Sequence, residues 1–426
     1  MTQDILAELA WRGLVYQNTD EENLQSWLNA EPRTVYAGFD PTSVSLHVGN
    51  LMPLMMLRRF QKAGHKVIAL IGGATGMIGD PSGKSAERNL LDENQLRRNV
   101  EGIGEQIQSV LADENNPALV VNNYDWIKTF SYIEFLRDVG KNFPVNVMMA
   151  KDSIKSRLDG ESGISYTEFS YMLLQAYDFV HLHQAFDCHL QVGGSDQWGN
   201  ITAGIDLGRR MRSAKLFGIT NPLLTKTDGT KMGKTESGAI WLASEKTSPY
   251  QFYQYWINVD DADAGQCLRF LTELDETTIT ELDRSRENEP HLNASQKSLA
   301  EELTKLIHGD GGLASAKKAT EIFFGAEISD LSDTELGNIF NDVPSAEIPK
   351  EQLQGEGVLL TEAFVVAGLA KSKGEARRTL TQGGAYVNNR RESVADRKLT
   401  LEDLASETNI VLRSGKKKYA LLRVAE

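Results

Sequence analysis

Residues 35–51 read VYAGFDPTSVSLHVGNL. The stretch opens on β-formers, turns at Asp40-Pro41 and closes on His47-Val48-Gly49 just before an apolar run. Leu51 to Ala63 then carries apolar residues at helical spacing and stops at Gly64, and KVIALIGGATG (66–76) is an apolar run of strand length ended by glycines. Strand, helix and strand in that order predict a β-α-β unit, hence a parallel sheet with a right-handed crossover.

Pro53 locates the start of the helix. A proline is harmless in a helix where its missing N–H had no partner, which is the first turn. The helix therefore either begins near Gly49–Asn50 or is kinked; the first choice places His47, Val48 and Gly49 at its N-terminus directly after a strand. Unpaired N–H groups and the helix dipole make such a place an anion site, and an imidazole can add one more donor. A bare His-x-Gly also suits a simple helix cap, so the tripeptide alone does not decide.

Two further stretches carry chemistry. GGATGMIGDPSGKS (72–85) resembles a phosphate loop, but the Walker spacing requires glycine at 78, where isoleucine stands. Pro81 also removes an amide that such a loop uses. What remains is Asp80, Lys84 and Arg88, four apart and on one face if that segment is helical. TKTDGTKMGKTESG (225–238) turns at Asp228-Gly229 and then presents Lys231 and Lys234. A mobile loop with two lysines can close over a polyphosphate, although each of these stretches alone also suits a solvated charged surface.

Composition sets wide bounds. At 426 residues the chain is expected to hold several domains, and its hydrophobic and charged fractions, 41% and 24%, are those of a globular protein. No apolar run is long enough to span a membrane, and the N-terminus lacks the pattern of a signal peptide. Cys188 and Cys267 have no metal-type spacing, which fits a reducing compartment, the cytoplasm. The net charge of −14 is uneven. Residues 357–426 hold 13 Lys and Arg against 8 Asp and Glu, whereas residues 1–356 carry a net −19. A basic end on an acidic body suggests a polyanionic partner there.

Along the chain, a helical stretch is expected at about 3–30, mostly helix at 90–190, a strand and glycine turn at HLQVGGSDQWGN (189–200), and consecutive helices at 250–325. The acidic, weakly periodic segment 326–356 reads as a linker or small irregular region. The last 70 residues read as a helix-turn-helix followed by short strands.

Taken together and in this order, the stretches resemble the bacterial-type tyrosyl-tRNA synthetases over essentially the whole chain. His47-Val48-Gly49-Asn50 is similar to the His-Ile-Gly-His signature of class I aminoacyl-tRNA synthetases, and Lys231-Met232-Gly233-Lys234-Thr235 to their Lys-Met-Ser-Lys-Ser loop. YAGFDPT (36–42), GGATGMIGDPSG (72–83), FSYMLLQAYDF (169–179) and QVGGSDQWGN (191–200) separate the tyrosine enzymes from the related tryptophan enzymes. Residues 360–391 resemble a small RNA-binding domain shared with a ribosomal small-subunit protein.

The resemblance implies an α/β fold: a Rossmann-like parallel-sheet catalytic domain with a helical insertion at 1–225, the lysine loop and an α-helical anticodon-stem domain at 226–325, a linker at 326–356 and a small α+β RNA-binding domain at 357–426. It implies formation of tyrosyl-adenylate from tyrosine and ATP, then tyrosyl transfer to the terminal ribose of tRNA(Tyr). The nucleophile of the first step is already an anion, so the chemistry needs positioning and charge stabilisation rather than a general base or a covalent enzyme intermediate. The resemblance implies that Thr42, His47, Lys84, Arg88, Lys231 and Lys234 contact the departing pyrophosphate with Thr235 nearby, and that Asn50, in the signature, offers its amide toward the nucleotide. Tyr36 and Asp178 hold the phenol hydroxyl; Asp80, Tyr171 and Gln175 the α-amino group; Gln197 lies near the carboxylate. Gly38, Asp40, Gly49, Gly194, Asp196 and Lys234 bind the nucleotide, with Asp196 on the ribose. Lys371, Lys373, Arg377 and Arg378 face tRNA. Mg²⁺ is expected with ATP, held mainly by phosphates and water, with no protein metal site and no prosthetic group. The family is homodimeric.

Three departures stand out. Asn50 replaces the last histidine of the signature and still offers an amide. Ala37 stands where some members have a thiol that reaches the ribose. Gly233 replaces the loop serine, which is expected to favour flexibility. Two alternatives remain at this point: a nucleotidyltransferase using the same His-x-Gly device, and a catalytically silent RNA-binding relative.

Overall fold

The computed structural model describes residues 4–82, 92–159, 163–235, 238–329, 331–340, 343–394 and 396–425. The chain forms two compact units, Met1–Thr247 with Tyr255–Ile307, and Ser248–Gln254 with His308–Glu426.

The first unit is built on a six-stranded sheet of order β1-β6-β5-β2-β3-β4: β1 Gln17–Asn18, β2 Thr34–Phe39, β3 Lys66–Ile71, β4 Leu119–Asn122, β5 Cys188–Gly194 and β6 Phe217–Asn221. Strands β2 to β6 run parallel, and only the edge strand β1 is antiparallel, to β6. Helices pack on the sheet, so its central strands read as nearly continuous buried apolar runs; in β3 Val67 to Ile71 are all buried. The strand order reverses between β5 and β2, which opens a crevice at their C-terminal ends.

The N-terminal helical stretch is two helices. α1 (Ile5–Trp11) is capped by Asp4 and α2 (Glu21–Ala30) by Asp20. Gly13 at φ 75° follows the first, and Gln17–Asn18 pair with Ile219 and Thr220. The periodicity is broken by this tertiary pairing, which no local signal reports. After β2, a 3₁₀ turn (Val48–Asn50) leads into α3 (Leu51–Lys62), so Pro53 does fall in the first turn. α4 (Glu93–Val110) and α5 (Tyr166–Phe186) begin at the side-chain caps Asp92 and Ser165. α6 (Trp198–Arg212) follows β5. Strands β7 (Lys234–Thr235) and β8 (Gly238–Ala239) pair in the lysine loop.

The second unit holds a five-stranded sheet of order β12-β11-β14-β15-β9, from β9 (Ser345–Pro349), β11 (Ala385–Val387), β12 (Arg390–Glu392), β14 (Asn409–Ser414) and β15 (Lys418–Ala425). A two-stranded ladder joins β10 (Val358–Leu359) to β13 (Lys398–Leu399). Helices Leu360–Val366 and Lys373–Thr381 pack Ala363, Phe364, Ala376 and Leu380 against Ile410, Leu412 and Leu422.

The segment expected as a linker, 326–356, is structured. It holds helix Asp333–Ile339, and β9 pairs parallel with β15. The Asp333 carboxylate accepts from Ser406 Oγ, Thr408 Oγ1 and Asn409 Nδ2, which hold its pKa down at about 2 against the cost of burial. The order here comes from partners more than 70 residues away, which is why local periodicity is weak. Among the described residues no helix is long and apolar enough to cross a membrane, and both cysteines are buried free thiols.

Candidate active site

A cavity of about 330 Å³ lies where β2 and β5 end. It is lined by Tyr36, Gly38, Asp40, Thr42, His47, Gly49, Asn50, Asp80, Tyr171, Gln175, Asp178, Gly194, Asp196, Gln197 and Lys231. An adjoining cavity of about 310 Å³ shares His47, Gly49, Asn50, Asp196 and Lys231 and adds Gly233 and Lys234. Residues expected from separate stretches of sequence thus meet at one crevice. Thr235 lines neither cavity; its Oγ1 donates to the carbonyl of Gly238 at 2.9 Å, closing the β7–β8 hairpin. Lys84 and Arg88 lie outside the described residues. Asp80 is not helical; its carboxylate accepts from Ser82 N at 2.9 Å and from Gln197 Nε2 at 2.8 Å.

The deep end is built on α5. Tyr171, Gln175 and Asp178 stand four and three apart, so one face of the helix presents all three. Asp178 is fully buried and accepts from Trp126 Nε1 at 2.8 Å and Asn123 Nδ2 at 2.9 Å. Burial nevertheless pushes its carboxyl up to about 7, because two neutral donors do not replace water around a carboxylate. Burial and the nearby Asp178 hold the Tyr36 phenol well above its usual range. Tyr171 donates its hydroxyl to Asp40 at 3.0 Å, and Thr75 donates to the other Asp40 oxygen at 2.9 Å.

Three buried polar atoms lining this end have no hydrogen-bond partner among the described residues: Tyr36 Oη, Gln175 Oε1 and Gln191 Oε1. Buried polar groups are nearly always paired, so together they suit a polar ligand. Gln191, Asn123 and Trp126 were not anticipated. Gln191 had a signal, a long polar side chain inside the apolar run of β5; Asn123 and Trp126 come from a turn after β4 and had none.

At the other end His47 and Asn50 form a reciprocal cap. Gly49 N–H donates to His47 Nδ1 at 3.0 Å, and His47 N–H donates to Asn50 Oδ1 at 3.0 Å. Nδ1 is therefore an acceptor, and the proton of the neutral ring sits on Nε2. A Cβ on residue 49 would lie 2.9 Å from His47 Cε1, so glycine is required for the ring to fold over the turn.

The lysine loop is held against this turn. Val48 N–H donates to Ile240 O at 3.0 Å, and His47 bridges Trp241. Met232 is buried with its sulfur 3.3 Å from Cys267 Sγ, and Gly233 N–H donates to Tyr255 Oη at 2.7 Å. Gly233 has φ 83°, and a Cβ there would meet Val48 Cβ at 3.0 Å. Its glycine thus permits one docked conformation that a side chain would strain, rather than conferring looseness. Lys231 and Lys234 remain exposed beside the cavities.

Comparison with known proteins decides the family. The family of class I tRNA synthetases (W and Y) matches residues 28–325, and the C-terminal domain of tyrosine–tRNA ligases matches residues 335–422. The tyrosine–tRNA ligase of Rhodopirellula baltica is 58% identical over the whole chain and 97% of its own length. The chain belongs to the tyrosine–tRNA ligase family. The member from Roseiflexus castenholzii is 50% identical over 99% of both chains. The solved structure of a C-terminally truncated mitochondrial tyrosyl-tRNA synthetase from Aspergillus nidulans covers 76% of this chain and 94% of its own, at 28% identity and a TM-score of 0.69. Class I ligases of this family use ATP, and the crevice at the strand reversal is where their open α/β fold offers a nucleotide site.

Proposed function

We propose that the chain attaches tyrosine to tRNA(Tyr) in two steps. A tyrosine carboxylate oxygen bonds to the α-phosphorus of ATP as the bond from that phosphorus to the pyrophosphate breaks. The terminal ribose hydroxyl of the tRNA then attacks the tyrosyl carbonyl, and AMP leaves. The observation that carries this reading is one crevice with a buried polar end at Tyr36 and Asp178 and a basic end at His47 and Lys231.

In this reading the phenol hydroxyl donates to Asp178 and accepts from Tyr36. Phenylalanine would leave both unpaired, which costs far more than a lost apolar contact. Asp80, Tyr171 and Gln175 receive the α-amino group, and Gln197, already bonded to Asp80, lies beside the carboxylate. Gly38, Asp40, Gly49 and Gly194 border the nucleotide, and Asp196 accepts from the ribose hydroxyls. The Nε2–H of His47, with Thr42, Lys231 and Lys234, stabilises charge on the departing pyrophosphate; each such donor is worth roughly 10²–10³ in rate. Lys84 and Arg88 add positive charge toward the same group, Asn50 acts by holding His47, and Thr235 by closing the loop hairpin.

Mg²⁺ enters with ATP. Of the cleft carboxylates, Asp40 and Asp80 are engaged by Thr75 and Tyr171 and by Ser82 and Gln197, which suits an ion held by phosphates and water better than a protein cage. Lys371, Lys373, Arg377 and Arg378, all exposed, make the tRNA-facing surface. The protein works in the cytoplasm as a homodimer; exposed Tyr132, Ile133, Val145, Val147 and Met149 support a second copy as their cover.

The decisive assay is exchange of labelled pyrophosphate into ATP. Exchange that requires tyrosine is the expected result. Exchange without any amino acid, or none at all, would overturn the proposal.

A further inference from the structure

At the N-terminal end of β5, away from the strand ends that border the crevice, α5 ends and β5 begins around three side chains. His183 lies in the last turn of α5, Asp187 is the left-handed residue that ends it (φ 52°), and His189 is the second residue of β5. One ring nitrogen from each histidine and one carboxylate oxygen of Asp187 all lie within 4.8 Å of one another. β5 first lines the active-site cavity at Gln191, two residues on, or roughly 7 Å along an extended strand, and none of His183, Asp187 and His189 lines either cavity. The cluster is therefore separate from the site described above, and its argument does not depend on the proposed function.

A neutral His189 ring cannot satisfy both of its neighbours by hydrogen bonds alone. His189 Nδ1 is 3.1 Å from the carbonyl oxygen of Lys215, and Nε2 is 3.0 Å from Asp187 Oδ1. Both oxygens only accept. A neutral imidazole has one N–H, so in either tautomer one ring lone pair faces an oxygen lone pair. With the proton on Nδ1, donated to the Lys215 carbonyl, Nε2 presents its lone pair beside a carboxylate. That is the arrangement of a metal-binding histidine, whose second nitrogen is fixed by a backbone carbonyl. His183 adds the third donor; its ring centroid stands 4.4 Å from that of His189.

We propose that His183, Asp187 and His189 form a binding site for a borderline divalent cation of the zinc class. Two imidazoles and one carboxylate are a three-ligand set for tetrahedral Zn²⁺, with water in the fourth position. Bonds of about 2.0–2.2 Å require donors roughly 3.4 Å apart. His189 and Asp187, at 3.0 Å, stand slightly closer than this, and the Asp187 side chain, 89% exposed, has room to move outward. The ion ties the end of α5, which carries Tyr171, Gln175 and Asp178, to the start of β5.

The test titrates the full-length chain with Zn²⁺ by calorimetry near pH 7.5, in parallel with Co²⁺ monitored by its visible d–d absorption. Trp27, whose ring centroid is 6.0 Å from that of His189, gives a fluorescence readout with Cu²⁺. Asp187→Asn is the key variant, because asparagine tolerates the left-handed backbone and the side chain is exposed. His183→Ala and His189→Ala complete the set, with thermal melts to check folding. The expected result is one tightly bound Zn²⁺ per chain, tetrahedral Co²⁺ bands, and at least tenfold weaker binding in each variant. Zn²⁺ binding unchanged in Asp187→Asn and His189→Ala, or no saturable binding below millimolar Zn²⁺, would overturn the proposal. In that outcome a proton on His189 completes a simple surface ion pair.

Discussion

Asn50 accepts the backbone N–H of His47 at 3.0 Å, so the residue that departs from the His-Ile-Gly-His pattern holds its first member in place. The amide oxygen fills a role in backbone capping, and the side chain of His47 reciprocates within the same turn. Asn50→Ala should therefore cost about 1 kcal/mol of stability, the usual worth of a cap, and slow pyrophosphate exchange several-fold. Asn50→Asp, which keeps the acceptor, should restore the stability. A loss of a hundredfold or more in exchange with unchanged stability would assign Asn50 to the substrate instead.

Asp178 links pH to both stability and substrate. Its folded pKa is raised from 3.8 to about 7 by burial. Between about pH 4 and 7 the folded chain keeps a proton that the unfolded chain has lost, so stability should fall as pH rises through that window and level off above it. The full effect is about 4 kcal/mol at most. Denaturant melts of Asp178→Asn should lack this slope. Its KM for tyrosine should rise on the order of a hundredfold, with that for ATP nearly constant. Equal changes in both would remove Asp178 from the phenol site. Trp126→Phe, which takes away a donor to the ionised form, should move the transition to higher pH.

Gly233 and Tyr255 test the docked loop. Gly233→Ala meets Val48 and must hold φ 83°, so exchange kcat should fall ten- to a hundredfold with the KM for tyrosine little changed. Tyr255→Phe leaves the Gly233 N–H without its acceptor, at about 1–3 kcal/mol if it stays buried, and should act in the same direction. Wild-type exchange in Gly233→Ala would show that the docked geometry is dispensable.

The basic helix of the second unit is tested by Lys373→Ala, Arg377→Ala and Arg378→Ala combined. All three are exposed, and the pairs Lys373–Glu362 and Arg377–Asp396 are surface contacts worth little to stability. Pyrophosphate exchange should be unchanged while tRNA charging weakens about tenfold or more. The salt dependence of tRNA binding should become shallower by roughly 2–3 in log–log slope. Equal loss in both assays would point to a folding role.

Much of this protein was legible in one dimension because its cues are local. β2, α3 and β3 announce themselves by period, by the glycines that end them and by Pro53 in a first turn. The helix face of Tyr171, Gln175 and Asp178 follows from spacing alone. Other features depend on partners far away in the chain. The strand at Gln17–Asn18 exists because β6 is beside it, and β9 because β15 is. The state of Asp178 depends on burial beside Asn123 and Trp126, more than 50 residues away. The glycine of the lysine loop looked like freedom in the sequence; in three dimensions Val48 makes it a constraint. Residue types and spacing determined which chemistry was possible. Only the packing decided which groups were desolvated, which were already paired, and where they meet, because dielectric environment and hydrogen-bond satisfaction are properties of neighbours in space.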